Sequence, residues 1–189
     1  MRSKYKATVW ERYRILFQKF WFSCLRNGFS RANYLRKKDI LRGIGTNVYY
    51  YSRIFPADPK LIKLHNNISI ATNVRFVTHD RIDVLLTGMT GQQYMKNRGC
   101  IEIMDNVFIG SDTIILPDVK IGPNVIIGAG SVVTKDIPPG QVVAGSPARQ
   151  IGDFEETMSK RKEKIKRPKN PDKLWKKFDK VHNKGCNVV

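Results

Sequence analysis

The chain has 189 residues, of which 41% are hydrophobic, which is enough for one domain with a buried core and extensions. Its formal net charge is +18. No apolar run approaches the roughly 18 residues of a membrane span, and charged residues interrupt any signal-peptide-like start. These features exclude a transmembrane protein and favour a cytoplasmic one, with contact at the inner face of the membrane as an open alternative.

The positive charge is concentrated at the two ends. Residues 1–42 contain 12 basic and 2 acidic residues, residues 43–149 contain 10 and 8, and residues 150–189 contain 12 and 6. We predict a basic amphipathic helical arm over residues 1–42, a nearly neutral domain over residues 43–152, and a basic C-terminal helix or tail over residues 153–189. No recognition motif accompanies the basic residues, so nucleic-acid binding is not predicted.

Three cysteines, Cys24, Cys100 and Cys186, are widely spaced and odd in number. They predict neither a disulfide framework nor a metal site, and they favour a reducing compartment. Cys100 opens a predicted strand, and we expect it to be a small buried residue rather than a nucleophile.

Apolar residues between Val9 and Cys24 recur at helical spacing and predict an amphipathic helix. Its stripe includes Tyr13, Phe17 and Phe20, and basic residues flank it. Two roles fit this helix. It can pack against the domain or a neighbouring subunit, or it can rest on an anionic membrane surface.

A six-residue period begins at residues 44–49 and recurs at residues 64–69 and 70–75. Two interruptions break it. The first, residues 50–62, contains two prolines, and the second, a loop over residues 80–99, is too long for a turn. Long loops inside a regular scaffold tend to carry function.

The period is most regular from Ile103, where the chain reads IMDNVF, IGSDTI, ILPDVK, IGPNVI, IGAGSV, VTKDIP. The first column is aliphatic throughout, and the fifth is small or β-branched. The fourth column holds residues that tolerate a left-handed backbone or make side-chain turns: Asn106, Asp112, Asp118, Asn124, Gly130 and Asp136. We predict stacked short parallel strands with two columns facing inward and one turning the corner.

The stretch IGAGSVVTKDIPPGQVVAGSPAR, residues 127–149, completes the last repeats. Pro138 and Pro139 offer no N–H groups to a further strand, so we expect them to end the regular coil, before one more partial strand and a turn. Beyond Ile151 the sequence predicts a polar helix that stops at Pro168, followed by a short helix or a loose tail.

These hexapeptides and the closing stretch resemble the hexapeptide-repeat acyltransferases over about residues 44–152. More narrowly, the chain is similar to the branch that holds galactoside and maltose O-acetyltransferases, xenobiotic acetyltransferases and bacterial polysaccharide O-acetyltransferases. The resemblance implies an all-β core folded as a left-handed parallel β-helix, with N-terminal and C-terminal helical extensions. It also implies acyl transfer from acetyl-CoA to a hydroxyl.

One histidine, His79, lies in FVTHD, where the repeat stops and the long loop begins. An imidazole at a loop mouth can titrate near neutral pH. The resemblance implies that His79 is the general base of a direct transfer. Its carboxylate partner stays open among Asp58, Asp80 and Glu102. The other two histidines are expected at surface positions: His65 and His182.

The resemblance also implies a coenzyme A site in the groove between neighbouring subunits, and hence a homotrimer. Ser111 and Ala129 match positions beside pantetheine, Thr134 and Lys135 match the pair nearer the nucleotide, and Arg149 matches a basic residue that pairs with phosphate. Taken alone, these residues also suit tight corners and a solvated turn. No metal site is predicted.

We therefore expect a homotrimeric O-acetyltransferase that uses acetyl-CoA as co-substrate and acts on a sugar hydroxyl of a bacterial surface polysaccharide or its precursor. Acetylation of a xenobiotic, an antibiotic or a sugar amine is the alternative within enzymes. A non-catalytic hexapeptide scaffold is the alternative outside them.

Overall fold

The structure is a computed structural model that describes residues 9–162 and 170–182. The chain divides into two compact units, Met1–Phe154 and Glu155–Val189. Cys186 and the helix end predicted at Pro168 lie outside the described residues.

Short strands make up the core of the first unit. They are β1 Gly43–Ile44, β2 Val48–Tyr50, β3 Ile62–Leu64, β4 Ile68–Ile70, β5 Arg75–Phe76, β6 Ile101–Ile103, β7 Val107–Ile109, β8 Ile114–Ile115, β9 Val119–Ile121, β10 Val125–Ile127, β11 Val132–Val133, β12 Gln141–Ala144 and β13 Arg149–Asp153. Sheet A has the order β1-β3-β6-β9, sheet B the order β13-β12-β10-β7-β4-β2, and sheet C the order β11-β8-β5. The strands pair in parallel, except for β12 with β13.

Consecutive strands from β3 to β11 enter sheets A, B and C in rotation, so the chain winds as a coil. Ile101 pairs with Val119 and Val107 pairs with Val125, a spacing of 18 residues in both cases. Each hexapeptide is therefore one strand and one corner, and three hexapeptides make a coil. The parallel strands predicted from the six-residue period are confirmed.

Both columns predicted to face inward are buried. The first column is no more than 1% exposed: Ile103, Ile109, Ile115, Ile121, Ile127 and Val133. In the fifth column, the hydroxyls of Thr113 and Ser131 donate to the carbonyl oxygen of Gly128, at 3.3 and 2.6 Å. These bonds satisfy two polar groups in the core. Since each strand is so short, the aliphatic columns are buried only by stacking one coil on the next.

Left-handed backbone conformations mark the corners. Positive φ angles occur in the predicted column at Asn47, Asn67, Asn73, Asn106, Asp112, Asp118, Asn124 and Gly130. Asparagine side chains join successive coils there: Nδ2 of Asn67 donates to Oδ1 of Asn106 at 2.7 Å, and Nδ2 of Asn106 donates to Oδ1 of Asn124 at 2.8 Å. Asp136 is not in this conformation, and its carboxylate instead accepts from the backbone N–H of Lys120 at 2.7 Å.

Cys100 corrects one expectation, because its side chain is exposed. It falls in the corner column of its hexapeptide, directly before β6, and a corner residue faces away from the core. Its backbone N–H donates to Oδ1 of Asp118, at 3.1 Å.

Two insertions leave the coil between strands. The first, between β2 and β3, contains a short 3-10 helix, Pro59–Leu61. The second, between β5 and β6, contains the helix α3, Ile82–Thr90, where the sequence predicted only a loop. None of its residues is buried. A helix is usually recognised in a sequence by the apolar face that it packs against the core, and α3 packs no such face. Its exposed apolar side chains are Ile82, Val84, Leu85 and Met89.

Two helices precede the first strand, α1 Val9–Cys24 and α2 Gly28–Lys37. The residues of α1 are those predicted to form the amphipathic helix, and α2 lies within the arm predicted to be helical, although the sequence analysis gave no separate helix there. Asn27 caps α2 by accepting a hydrogen bond from the N–H of Ser30 at 2.9 Å. Asparagine is a preferred residue at the N-cap position of helices. Arg31, fully buried in α2, donates to backbone carbonyls of Leu25, Tyr50 and Tyr51. These bonds fix the helix to the first coil.

One side of α1 contacts the core through Phe22, which packs against Tyr34, Tyr50 and Phe55. The predicted aromatic stripe lies on the opposite side of the helix and is exposed. Its members with the largest exposure are Trp10, Tyr13, Leu16, Phe17 and Phe20.

The regular coil ends after Pro138 and Pro139, and β12 is the further strand that the sequence predicts. The strand β13, which folds back antiparallel against β12, was not predicted. The helix α4, Phe154–Lys162, begins at the boundary of the two units. The helix α5, Pro171–His182, lies in the second unit. No helix within residues 9–162 or 170–182 combines the length and apolar character needed to cross a bilayer.

Candidate active site

The two insertions meet at one edge of sheet C, where β5 ends. Asp58 comes from the first insertion, Thr78 and His79 follow β5, and Arg98 lies at the far end of the second insertion. His79 and Arg98 form an antiparallel bridge, which closes the second insertion on itself. The breaks in the repeat thus place polar side chains from three separate segments in one small volume.

His79 and Asp58 form the closest contact of this group. Nδ1 of His79 is 2.7 Å from Oδ2 of Asp58, and both side chains are about three-quarters buried. The hydroxyl of Thr78 donates to the same carboxylate oxygen, at 3.1 Å. Nη2 of Arg98 is 3.4 Å from the other oxygen, Oδ1. The carboxylate of Asp58 is therefore held from both sides.

These contacts determine the charge of Asp58. Burial by itself raises the pKa of its carboxyl, but the hydrogen bonds from Thr78 and His79 and the positive charge of Arg98 outweigh that effect, so the pKa lies below its ordinary value. An ionised carboxylate only accepts hydrogen bonds, so Nδ1 of His79 must carry the proton in this pair. The lone pair of the neutral ring is then on Nε2, for which no hydrogen-bond partner occurs among the described residues.

A cavity of about 290 Å³ opens beside His79. Its lining is mainly apolar and comes from the end of β2, from the first insertion, from β5 and from the residues on either side of β5: Tyr50, Ile54, Phe55, Pro56, Ala57, Val74, Arg75, Phe76, Val77, Thr78 and His79. An imidazole at the mouth of such a cavity can take a proton from a bound hydroxyl or amine, provided that the other ring nitrogen is held by a carboxylate.

The other two carboxylates considered as partners of His79 are engaged elsewhere. Oδ1 of Asp80 accepts from the N–H of Ile82 at 3.1 Å, at the start of α3. Glu102 lies on the outer wall, 2.8 Å from Nε2 of His65 and 3.0 Å from Nζ of Lys63. These contacts lower the pKa of Glu102 to about 2. The structure thus selects Asp58 among the three alternatives. His65 lies on the outer wall, as expected, although Glu102 partly covers it, and His182 is exposed in α5.

Three of the five residues expected to bind coenzyme A share a second cavity. Thr134, Lys135 and Arg149 line a space of about 180 Å³ between the end of β11 and the closing strands. All three are exposed, and Nη1 of Arg149 donates to the carbonyl oxygen of Ala148 at 3.0 Å. Two cations at one cavity suit a ligand with phosphate groups.

Ser111 precedes β8 and Ala129 precedes β11. Both therefore lie at the opposite end of the sheet C strands from Thr134 and Lys135, which follow β11. The N–H of Gly130 donates to the carbonyl oxygen of Ser111 at 2.8 Å, so the two corners stack directly. A Cβ atom on Gly110 would lie 2.5 Å from the backbone nitrogen of Ala129, which explains the glycine there. The five residues therefore fall into two groups, one at each end of the sheet C strands.

Residues 101–135 match the family model described as bacterial transferase hexapeptide (six repeats), in agreement with the repeats and the parallel coil. The galactoside O-acetyltransferase of Escherichia coli (strain K12) is 37% identical over 116 residues, 59% of this chain and 53% of that protein. This chain spans about half the length of the curated relatives it matches.

Two solved structures are similar in fold and sequence. A maltose O-acetyltransferase from Clostridium difficile 630 aligns with a TM-score of 0.58 and 29% identity, over 77% of this chain and 87% of that one. A galactoside acetyltransferase in complex with coenzyme A aligns with a TM-score of 0.57 and 26% identity, over 78% and 82%. The predicted resemblance to the hexapeptide-repeat acetyltransferases is confirmed.

Sequence reasoning missed Arg98 and left the role of Asp58 open. Both precede a strand of sheet A, β3 for Asp58 and β6 for Arg98, and His79 follows a strand of sheet C. The signal was available in the period itself. Because both insertions interrupt the coil on the approach to sheet A, their ends must share a corner.

Proposed function

We propose that the protein is an acetyl-CoA-dependent O-acetyltransferase that modifies a sugar hydroxyl of a bacterial surface polysaccharide or of its precursor. The observation that carries the proposal is the His79–Asp58 pair, with Nδ1 of His79 2.7 Å from the carboxylate and His79 among the residues that line a cavity. Similarity to a galactoside and a maltose O-acetyltransferase supports a sugar acceptor.

His79 is the general base of the proposed reaction. Acetyl-CoA supplies an activated acyl group as a thioester. Nε2 of His79 removes the proton of the acceptor hydroxyl while the hydroxyl oxygen attacks the thioester carbonyl carbon. When the carbon–sulfur bond breaks, the imidazolium returns this proton to the thiolate, so the products are an acetyl ester and coenzyme A with a free thiol. No acyl-enzyme is required.

Asp58 has a positioning role in this scheme. It keeps the proton on Nδ1, it fixes the ring plane, and its negative charge stabilises the imidazolium that forms during the transfer. Thr78 and Arg98 hold the carboxylate in turn, through the contacts at 3.1 and 3.4 Å. The low pKa of Asp58 suits this role, because a protonated carboxyl would not accept from Nδ1.

The coenzyme A site is assigned to both ends of sheet C. Lys135 and Arg149 are the cations proposed for the phosphate groups, with Thr134 beside them. Ser111 and Ala129 form a corner without bulky side chains, which leaves room for the pantetheine chain. The cavity that Thr134, Lys135 and Arg149 share supports the proposed phosphate contacts. The stacked corners of Ser111 and Ala129 support the proposed pantetheine contact. His79 follows β5 and Lys135 follows β11, which is two strands away in sheet C. The two strands are therefore separated by roughly 10 Å along the coil axis.

We further propose that the coil is a closed left-handed β-helix and that three copies assemble with the active sites between them. The parallel register of 18 residues and the likeness to the maltose O-acetyltransferase structure support the helix. Exposed apolar side chains on α3, including Leu85 and Met89, support an assembly that covers them. The protein is proposed to be cytoplasmic, with the exposed face of α1 resting on the inner face of the membrane.

A panel of acceptors tests this function. Release of free coenzyme A thiol is measured with acetyl-CoA and simple sugars, lipid-linked glycans, amino sugars and antibiotics. Turnover on a hydroxyl of a sugar or glycan, with none on the antibiotics, is the expected result. Turnover on amines or antibiotics alone would assign the same His79–Asp58 pair to N-acetylation or to a xenobiotic, and no thiol release with any acceptor would favour the non-catalytic scaffold.

A further inference from the structure

A second basic amphipathic helix, α5, belongs to the compact unit Glu155–Val189, whereas the coil and the candidate active site belong to the other unit. Its apolar side chains recur at i, i+1, i+4 and i+7, which places them on one face of a helix. They are Leu174, Trp175, Phe178 and Val181, and all of them are exposed. Such a continuous apolar face in solvent marks an interaction surface.

The aromatic rings on the apolar face of α5 contact one another. The ring centroids of Trp175 and Phe178 are 5.4 Å apart in an edge-to-face arrangement, and that of His182 lies 4.1 Å from Phe178. Pro171 and Leu174 join the first two rings around a shallow open groove. The aromatic rings thus form one strip along the helix.

The polar side of α5 carries the charge. Four lysines occupy it, recurring at i, i+3, i+4 and i+7, which places them together on one face: Lys173, Lys176, Lys177 and Lys180. Two aspartates, Asp172 and Asp179, lie at one margin between the faces. A lysine-rich face opposite Trp, Phe and Leu is the pattern of a helix that lies in a membrane interface, where anionic headgroups attract the lysines.

We propose that α5 is a membrane-surface anchor that inserts its Trp175–Phe178 strip between the headgroups of anionic lipids. Twelve residues span about 18 Å, so the helix can lie in the interface but cannot cross the bilayer. It holds fewer than two heptads, too few for stable pairing with the α5 of a second copy. Anionic lipid matches both of its faces. This assignment does not depend on the proposed acetyl transfer.

The full-length protein tests the anchor with sedimenting vesicles of phosphatidylglycerol and phosphatidylcholine, against vesicles of phosphatidylcholine alone. The double variant Trp175→Ala/Phe178→Ala keeps the charge and the helix-forming tendency but removes the strip. We expect its apparent partition onto anionic vesicles to fall at least about tenfold. The matched control, Asp172→Ala/Asp179→Ala, alters the margin of the same helix, and it should bind at least as well as the unmodified protein.

Vesicle binding through α1 is tested separately. In a protein that already carries Phe17→Ala/Phe20→Ala, adding Trp175→Ala/Phe178→Ala must again reduce vesicle binding. Trp175 is the remaining tryptophan in Trp10→Phe/Trp21→Phe, and its emission should shift to the blue with anionic vesicles only. Equal binding of the unmodified protein and the α5 variant would overturn the proposal. So would a change in oligomeric state caused by the α5 variant, which would assign the strip to protein contact. Turnover on a water-soluble acceptor reports the proposed catalysis independently.

Discussion

Asp58 and His79 are 21 residues apart in the chain, and 2.7 Å separates their side chains. The coil explains this proximity. Asp58 leads into β3 in sheet A, and His79 leaves β5 in sheet C, one turn of the coil later. Because the chain returns to the same corner after each turn, a residue from one insertion meets a residue from the next. The candidate site is thus built by the repeat and opened by its interruptions.

Replacing Asp58 by asparagine should lower kcat by roughly tenfold to a hundredfold while leaving the KM for acetyl-CoA nearly unchanged. The amide has the same shape but lacks the negative charge that stabilises the imidazolium. A merely structural role would instead lower the stability of the variant, so thermal unfolding is measured beside the kinetics and should change little.

Asp80→Asn is the matched control for that variant. Asp80 is adjacent to His79 in sequence, but its carboxylate accepts from the start of α3. It should keep its kcat. If Asp80→Asn lowers kcat and Asp58→Asn does not, the assignment of the positioning carboxylate is wrong.

His79→Ala should reduce turnover by at least about 100-fold, because no other group at the cavity mouth can take the acceptor proton. Acetyl-CoA binding, measured by calorimetry, should stay nearly intact, since the proposed phosphate contacts are made by Lys135 and Arg149. His65→Ala is the control, because His65 contacts Glu102 on the outer wall. Near-normal turnover of His79→Ala would remove His79 from the role of base.

The six-residue period predicts the strands, both buried columns and nearly all of the corners, because each of these depends on local spacing alone. Arg98 and α3 depend on where an insertion folds back, and nothing in the local pattern around them records this. Cys100 shows the limit within the repeat: the period puts it in the corner column, but residue type alone suggested burial. Asp58 was open because the period places the ends of both insertions at one corner but does not say which of their side chains meet there.

The assembly can be tested by sedimentation velocity at micromolar concentration. One chain has a mass of 21.7 kDa, and we expect a species of about three times this mass. Specific activity should fall on dilution along with the fraction of assembled protein, because the proposed coenzyme A site is shared. A monomer that is fully active would exclude a site between subunits.

Glu102 gives the outer wall a pH-dependent stability. Its pKa is lowered from 4.5 to about 2, mainly by the hydrogen bonds from His65 and Lys63. A lowered folded-state pKa means that the contribution is complete above 4.5 and is lost as the pH falls towards 2. In urea unfolding, Glu102→Gln should therefore be less stable than the unmodified protein near neutral pH, and the difference should shrink across this window. A difference in stability between Glu102→Gln and the unmodified protein that does not vary with pH would contradict the assignment.

The asparagine ladder allows backbone strain and side-chain bonding to be separated at Asn106, where φ is 61°. Asn106→Ala introduces a residue that resists this conformation, at a cost of about 1–2 kcal/mol, and it also removes the two ladder bonds. Asn106→Gly removes the same bonds but adopts the conformation freely. We expect both variants to be less stable than the unmodified protein in thermal and urea unfolding, with the alanine variant the less stable of the two. If the glycine variant were as unstable as the alanine variant, the side-chain ladder rather than the left-handed backbone would account for the contribution of Asn106 to stability.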